Sequence, residues 1–169
     1  MNKRFLLLLD GMTGAGKTTT TKFLAAELPR TAVIGMDKVK KFVSDFERGE
    51  RDNTIAREVV FIMAQKYLEL GLSVIIDQPF WDAADVRRYE DLAASQSIPC
   101  YKFQLFASPQ VAYARVMERQ KEWDDKVPEE RVKSNIEYFK KNDDLGFTLI
   151  DTSHLESDMA AKMIMREIG

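Results

Sequence analysis

Five short apolar runs recur along the chain, at residues 5–9, 31–36, 72–76, 101–106 and 147–150. Each is too short for a helix and predicts a strand; residues 5–9, apolar throughout, predict one buried on both faces, and residues 72–76 another buried strand. Between them, apolar residues return every three or four positions, the spacing of one helical face. Phe23, Leu24 and Leu28 mark a helix over 18–28 that Pro29 stops. Val39, Phe42, Val43 and Phe46 predict a helix over 38–48, with Gly49 after it. Ile55, Val59, Ile62, Met63 and Leu70 form the stripe of a longer helix over 54–70, closed by Gly71. Asp82 opens a helix that turns Val86, Tyr89, Leu92 and Ala93 inward. Ser108-Pro109 supplies an N-cap and a proline at the first helical position of a helix reaching about Trp123. Pro128 opens another helix to about Asn142, and residues 157–168 form a closing one. Strands alternating with helices predict an α/β fold, a parallel sheet covered on both faces that binds ligands outside the carboxyl ends of its strands.

The first strand runs into Gly11-Met-Thr-Gly-Ala-Gly16-Lys17-Thr18, a complete P-loop pattern set between a strand and a helix. The chemistry requires these residue types. Gly11, Gly14 and Gly16 let a phosphate chain approach the backbone. The amides of Gly11, Thr13, Gly14, Ala15 and Gly16, with the helix N-terminus, form an anion nest. Lys17 reaches the outer phosphates as a point charge, Thr18 offers a hydroxyl to Mg²⁺, and Thr19 offers a further phosphate hydrogen bond.

Other polar residues stand just after predicted strands: Asp37, Asp77 and the Asp151-Thr-Ser153 loop. With the register right, they converge with the P-loop on one edge. Asp37 is the candidate base or orienter for an acceptor hydroxyl, and as the residue before Lys38 it is also a candidate N-cap. Asp77 is the candidate second carboxylate for the Mg²⁺ shell, or a turn residue before Pro79. Arg115 and Arg119 lie one helical turn apart and are placed to close over phosphates, Arg131 less so. Lys38, Lys40 and Lys41 read first as a solvated face. Phe80 and Trp81 either wall an acceptor pocket or pack inside. His154, the one histidine, has no partner with which to build a nucleophile–base pair.

Length and composition narrow the class. At 169 residues, the expectation is one domain over 1–169. A net charge of −2 gives no overall electrostatic case for nucleic acid. The single cysteine, Cys100, excludes an intramolecular disulfide, reads as a core residue and fits a reducing, cytoplasmic setting. The apolar run behind Met1-Asn-Lys-Arg is too short for a signal peptide, and no stretch approaches membrane-spanning length.

Together these residues resemble small P-loop kinases of the zeta-toxin, chloramphenicol phosphotransferase and polynucleotide 5′-hydroxyl kinase type. The P-loop, Asp37, Val-Ile-Ile-Asp77 and the helix carrying Arg115 and Arg119 carry the resemblance. So do Lys126-Val127-Pro128, similar to the polynucleotide kinase lid, and Leu149 to Ser153, similar to the loop bordering adenine. The resemblance implies a three-layer P-loop NTPase fold with five parallel strands in the order 2-3-1-4-5 and a small helical lid over about 115–131. It implies ATP as the nucleotide, Asp37 activating the acceptor, Arg119 in the lid, and Arg115 and Thr152 beside the nucleotide. One departure is Lys40, where several such kinases carry arginine, so acceptor recognition does not carry over. Other P-loop classes fit less well. No Asn-Lys-x-Asp guanine motif occurs, and Gln78 stands where an AAA motor usually has glutamate.

The expected function is an ATP- and Mg²⁺-dependent kinase acting on a hydroxyl of a small molecule. The rivals are a polynucleotide or nucleotide kinase and an ATP-binding module without catalysis. A polynucleotide partner is less favoured, and the sequence carries no signal for oligomeric state.

Overall fold

The structure is a computed structural model, and it describes residues 4–47, 49–121 and 127–169. Five strands, β1 (Leu6–Gly11), β2 (Thr31–Gly35), β3 (Ser73–Asp77), β4 (Cys100–Phe106) and β5 (Thr148–Asp151), pair in parallel in the order β2-β3-β1-β4-β5. The helices are α1 (Lys17–Glu27), α2 (Met36–Lys40), α3 (Glu50–Glu69), α4 (Ala83–Ser95), α5 (Pro109–Gln120), α6 (Glu129–Glu137) and α7 (Met159–Ile168). The alternation of short apolar runs with helical stripes therefore gives the expected three layers, in the expected strand order.

The central strand shows why its sequence has no polar alternation. Leu6 and Leu8 face one core with residues of α3 and α4, while Leu7 and Leu9 face the other with α1, α5, α6 and α7. All four leucines are fully buried, each worth about 1.5–3 kcal/mol relative to exposure. The polar positions follow from the register. Asp77 pairs with Leu9 on one side and Gly35 on the other, and Asp10 pairs with Gln104. Every strand thus hands its last residue to the same carboxyl edge.

Several expected elements differ. The helix after β2 ends at Lys40 instead of running to Arg48, and tighter turns such as Phe42 N–H to the Val39 carbonyl follow it. Val39 is buried, but Phe42 is 72% exposed, so the presumed stripe is not one face. α3 begins earlier and packs through Ala56, Val60, Ala64 and Leu68. Ile55, Ile62 and Leu70 point to solvent. The two alanines lack the bulk that would hold the helix off the sheet, and packing outweighs side-chain size in choosing the face. α6 stops at Glu137 because the chain beyond it is drawn inward by side-chain hydrogen bonds described below. By contrast, Asp82 accepts the Asp85 N–H as the N-cap of α4, with Val86, Tyr89, Leu92 and Ala93 buried as expected. Ser108 caps α5 through the Val111 N–H. That helix ends at Gln120, and Trp123 and Lys126 lie outside the described residues. Cys100 is partly buried, and burial pushes its thiol up to about 12, away from thiolate chemistry. Among the described residues, no helix is long and apolar enough to cross a membrane.

Candidate functional site

The P-loop leaves β1 at Gly11 and enters α1 at Lys17, with Gly16 as the N-cap. Two of its glycines answer to neighbouring protein backbone as well as to an expected phosphate. A Cβ on Gly14, whose φ is +82°, would stand 2.4 Å from the Ala112 carbonyl oxygen of α5. One on Gly11 would stand 2.5 Å from the Leu105 oxygen, which accepts the Met12 N–H. The loop is therefore wedged against β4 and α5, and only glycine permits that approach. Thr18 and Thr19 are exposed at the start of α1. The Lys17 ammonium donates to the Gly11 carbonyl at 2.5 Å and to the Met12 carbonyl at 3.4 Å. It is folded back over the loop that a phosphate chain would occupy.

Asp37 and Asp77 flank this loop. Asp37 lies in the first turn of α2, whose N-cap is Gly35, and its side chain makes no capping bond. The capping alternative is thereby corrected: the helix starts one residue before Asp37, so the carboxylate points outward. Its side chain is 94% exposed, with Lys40 at 3.4 Å as its ion-pair partner. Lys40, at the position where arginine was expected, touches Asp37 directly. Burial pushes the Asp77 carboxyl above its ordinary range. The Lys17 and Lys38 charges work against that shift, and Asp37 and Asp10 add to it. Lys17, Asp37 and Asp77 thus share one electrostatic neighbourhood. No hydrogen bond or ion pair within the described residues reaches the Asp77 carboxylate.

Among the described residues, no group of three His, Cys, Asp or Glu side chains could hold a metal. What the edge offers is the Thr18 hydroxyl and the Asp77 carboxylate. Such an all-oxygen, under-filled donor set fits Mg²⁺, which keeps waters and phosphate oxygens as its remaining ligands.

Thr152 and Arg115 close the opposite side. The Thr152 hydroxyl lies 3.0 Å from the Ala15 carbonyl of the P-loop and 3.0 Å from that of Phe106. Arg115 donates to that hydroxyl at 3.2 Å and to the Thr152 carbonyl at 2.8 Å. The loop after β5, the P-loop and α5 are thereby tied together. Arg119 is exposed one turn further along. The Val127 N–H donates to the Gln120 side-chain oxygen, joining the two ends of the segment between α5 and α6. Arg131 is exposed on α6 and His154 in its loop, away from these contacts.

A buried network behind the P-loop was not foreseen from the sequence. Asp10, 5% exposed, accepts the Gly11 N–H at 2.6 Å, the Phe80 N–H at 3.4 Å, the Gln104 amide at 2.9 Å and the Asn142 amide at 2.8 Å. Asn142 also donates to the Phe80 carbonyl at 2.7 Å, and its own N–H donates to Gln104 at 2.8 Å. Burial pushes the Asp10 carboxyl up, while the Gly11, Gln104 and Phe80 donors and the Lys17 charge pull it down. The network explains why the chain leaves α6 early. It also fixes the P-loop against the loop after β3. A glutamine inside the apolar run of β4 was the available signal, since a polar residue there must find a partner. Asp10→Asn replaces one of the two acceptor oxygens with an amide NH2 that faces donors. It should lower stability by about 2–4 kcal/mol, or roughly 5–15 °C in Tm, measured by thermal melting. An unchanged Tm would show the network to be dispensable.

A family model described as AAA domain, AAA_33, matches residues 6–141. No curated protein matches the chain in sequence. Among solved structures, the Deinococcus radiodurans tunicamycin resistance protein is 20% identical with a TM-score of 0.68, over 99% of this chain and 96% of that one. The Mycobacterium tuberculosis APS kinase CysC, in complex with AMPPNP and APS, is 13% identical with a TM-score of 0.66, over 98% of each chain. A chain of the Pnkp1/Rnl/Hen1 RNA repair complex is 15% identical with a TM-score of 0.61, over 81% of this chain and 44% of that one. At these identities the likeness is one of fold.

Proposed function

The chain belongs to the AAA domain family AAA_33, and from that premise we propose that it is a kinase that moves the γ-phosphate of ATP, with Mg²⁺, to a hydroxyl of a small-molecule acceptor. One observation carries the reading. A solvent-facing carboxylate, Asp37, stands at the same sheet edge and in the same electrostatic neighbourhood as the P-loop lysine and Asp77. A carboxylate this exposed contributes little to folding, about 0–1 kcal/mol through its Lys40 pair, and is open to a second substrate.

The P-loop amides, with Thr13 and Thr19, bind the phosphates, and Lys17 swings from its carbonyl partners onto the outer ones. Thr18 and Asp77 would hold a Mg²⁺ ion, which would supply charge neutralisation at the phosphates. Asp37 orients the acceptor hydroxyl and takes its proton. Arg115 and Thr152 border the nucleotide base. Residues 115–131 act as a lid that brings Arg119 over the transferring group and excludes water; residues 122–126 of it lie outside the described part. Gln78 bears on the choice between transfer and hydrolysis. It stands where a motor would place a water-activating glutamate, and it is buried against Asp85. The fold likeness to the RNA repair complex keeps a polynucleotide acceptor as the second reading. A steep loss of substrate affinity with salt would favour it.

ADP release tests the reading. With the correct acceptor present, it should rise at least tenfold over the rate with water alone. ADP release that no acceptor changes would contradict a kinase, and tight ATP binding without turnover would indicate a regulatory module.

A further inference from the structure

The segment from Asn142 to Thr152, which links α6 to the end of β5, meets the P-loop at both ends. The Asn142 side-chain amide donates to Asp10 at 2.8 Å, and Asp10 accepts the Gly11 N–H at 2.6 Å. Beyond β5, the Thr152 hydroxyl lies 3.0 Å from the Ala15 carbonyl. One continuous segment therefore fixes the P-loop at Gly11 and again at Ala15. Gly11 matters further, because its carbonyl accepts the Lys17 ammonium at 2.5 Å.

The same amide has a second N–H to place. It donates to the Phe80 carbonyl at 2.7 Å, and the Phe80 N–H donates to Asp10 at 3.4 Å. Both backbone groups of Phe80 thus end on the Asp10–Asn142 pair. Phe80 is three residues beyond Asp77, the last residue of β3. Between them stand Gln78, which is buried, and Pro79, whose ring fixes its φ. The link from Phe80 back to Asp77 is short and stiff.

Asn142 is itself firmly held. It is 2% exposed, its N–H donates to the Gln104 side-chain oxygen at 2.8 Å, and its carbonyl accepts the N–H groups of Leu145 and Phe147. The chemistry of the position is narrow. An amide brings N–H donors to a carboxylate and a carbonyl at once. An aspartate there would bring acceptors to both, and a leucine nothing.

The two loops bridged in this way lead to the two groups assigned to Mg²⁺. Thr18 follows the P-loop lysine, and Asp77 precedes the Phe80 turn. Groups standing behind a metal's donors orient them. We infer that Asn142 is a positioning residue of the proposed kinase, on which reading it rests. By bridging Asp10 to Phe80 it sets the spacing between the P-loop and Asp77, and with it the extent to which Mg²⁺ strengthens ATP binding. It acts through Gly11 on one side and Phe80 on the other, without itself standing among the metal donors.

ATP affinity measured by calorimetry, once with Mg²⁺ and once with EDTA, gives that strengthening as a ratio. The titrations are run well below the melting transition of each variant. Asn142→Ala should keep its Mg²⁺-free affinity within about twofold and lose at least about fivefold of the Mg²⁺-dependent gain. Asp77→Asn should lose the same gain. A merely structural asparagine would lower Tm and leave the ratio at its wild-type value. An unchanged ratio in Asn142→Ala, or affinity lost equally with and without Mg²⁺, overturns the inference. If Asp77→Asn loses the gain in the same series, the metal assignment survives that result. A wild type that gains nothing from Mg²⁺, or an Asp77→Asn variant that gains as much as wild type, removes the metal assignment and the inference together. A ratio that falls in Asn142→Ala, in a protein that transfers no label from ATP to any acceptor, keeps the positioning role and removes the kinase. Should Asn142→Ala not fold, wild type decides. Coupling is reciprocal, so a bridge that helps Mg²⁺ to bind is strengthened by the same factor when Mg²⁺ is bound. Amide exchange at Phe80 and Asn142, whose N–H groups end on Asp10 and Gln104, should slow by about fivefold when Mg²⁺ joins the ATP complex. Unchanged exchange at both overturns the inference.

Discussion

Lys17→Ala is expected to lower kcat/KM for phosphate transfer by about 10²–10³-fold while leaving the fold intact. The ammonium is the one mobile positive charge that the P-loop itself supplies. In the ligand-free protein it rests on the Gly11 and Met12 carbonyls. Both bonds are only partly buried, so Tm should move by no more than about 2 °C, corresponding to less than 1 kcal/mol. Kinetics and a melt on the same preparation distinguish loss of charge from loss of structure. Unchanged transfer would remove the P-loop from the account.

Asp37→Asn should reduce kcat by about 10²–10³-fold with little change in ATP affinity or Tm. The side chain is 94% exposed and its one ion pair, with Lys40, spans 3.4 Å, a geometry worth about 0–1 kcal/mol in solvent. With Gly35 as the N-cap, the helix does not depend on Asp37 for its first turn. A fall in Tm of several degrees with kcat preserved would show that the carboxylate serves the fold and that the proton acceptor lies elsewhere.

How much of this was legible beforehand depended on the range of the interactions. The P-loop, the capping of α4 by Asp82 and the start of α5 at Ser108-Pro109 are local signals, and each appears where the sequence puts it. The strand order came from the resemblance, and the structure has it. The face of α3 was misjudged because large residues were weighted over small ones. Ile55 and Ile62 are exposed, while Ala56 and Ala64 lie against the core. Helix lengths failed where distant residues intervene. α6 ends because Asn142 is captured by Asp10, 132 positions away in sequence. Phe80 and Trp81 were read as a pair, yet they divide. Phe80 packs edge-on with Tyr89 in the core, and Trp81 is half exposed with the Arg57 guanidinium over its ring. No spacing rule separates two adjacent aromatics in a turn; the position of the next helix does.

The central claim is that the edge formed by the P-loop, Asp37 and Asp77 transfers phosphate to a hydroxyl. The most direct measurement is the fate of label from γ-labelled ATP with Mg²⁺, across aminated polyols, sugars, nucleosides, nucleoside monophosphates and 5′-hydroxyl oligonucleotides. The account predicts label in a phosphate ester of one acceptor class, absent with Lys17→Ala and strongly reduced with Asp37→Asn. Label recovered only as inorganic phosphate, or only as unreacted ATP while ATP binding is intact, would contradict it.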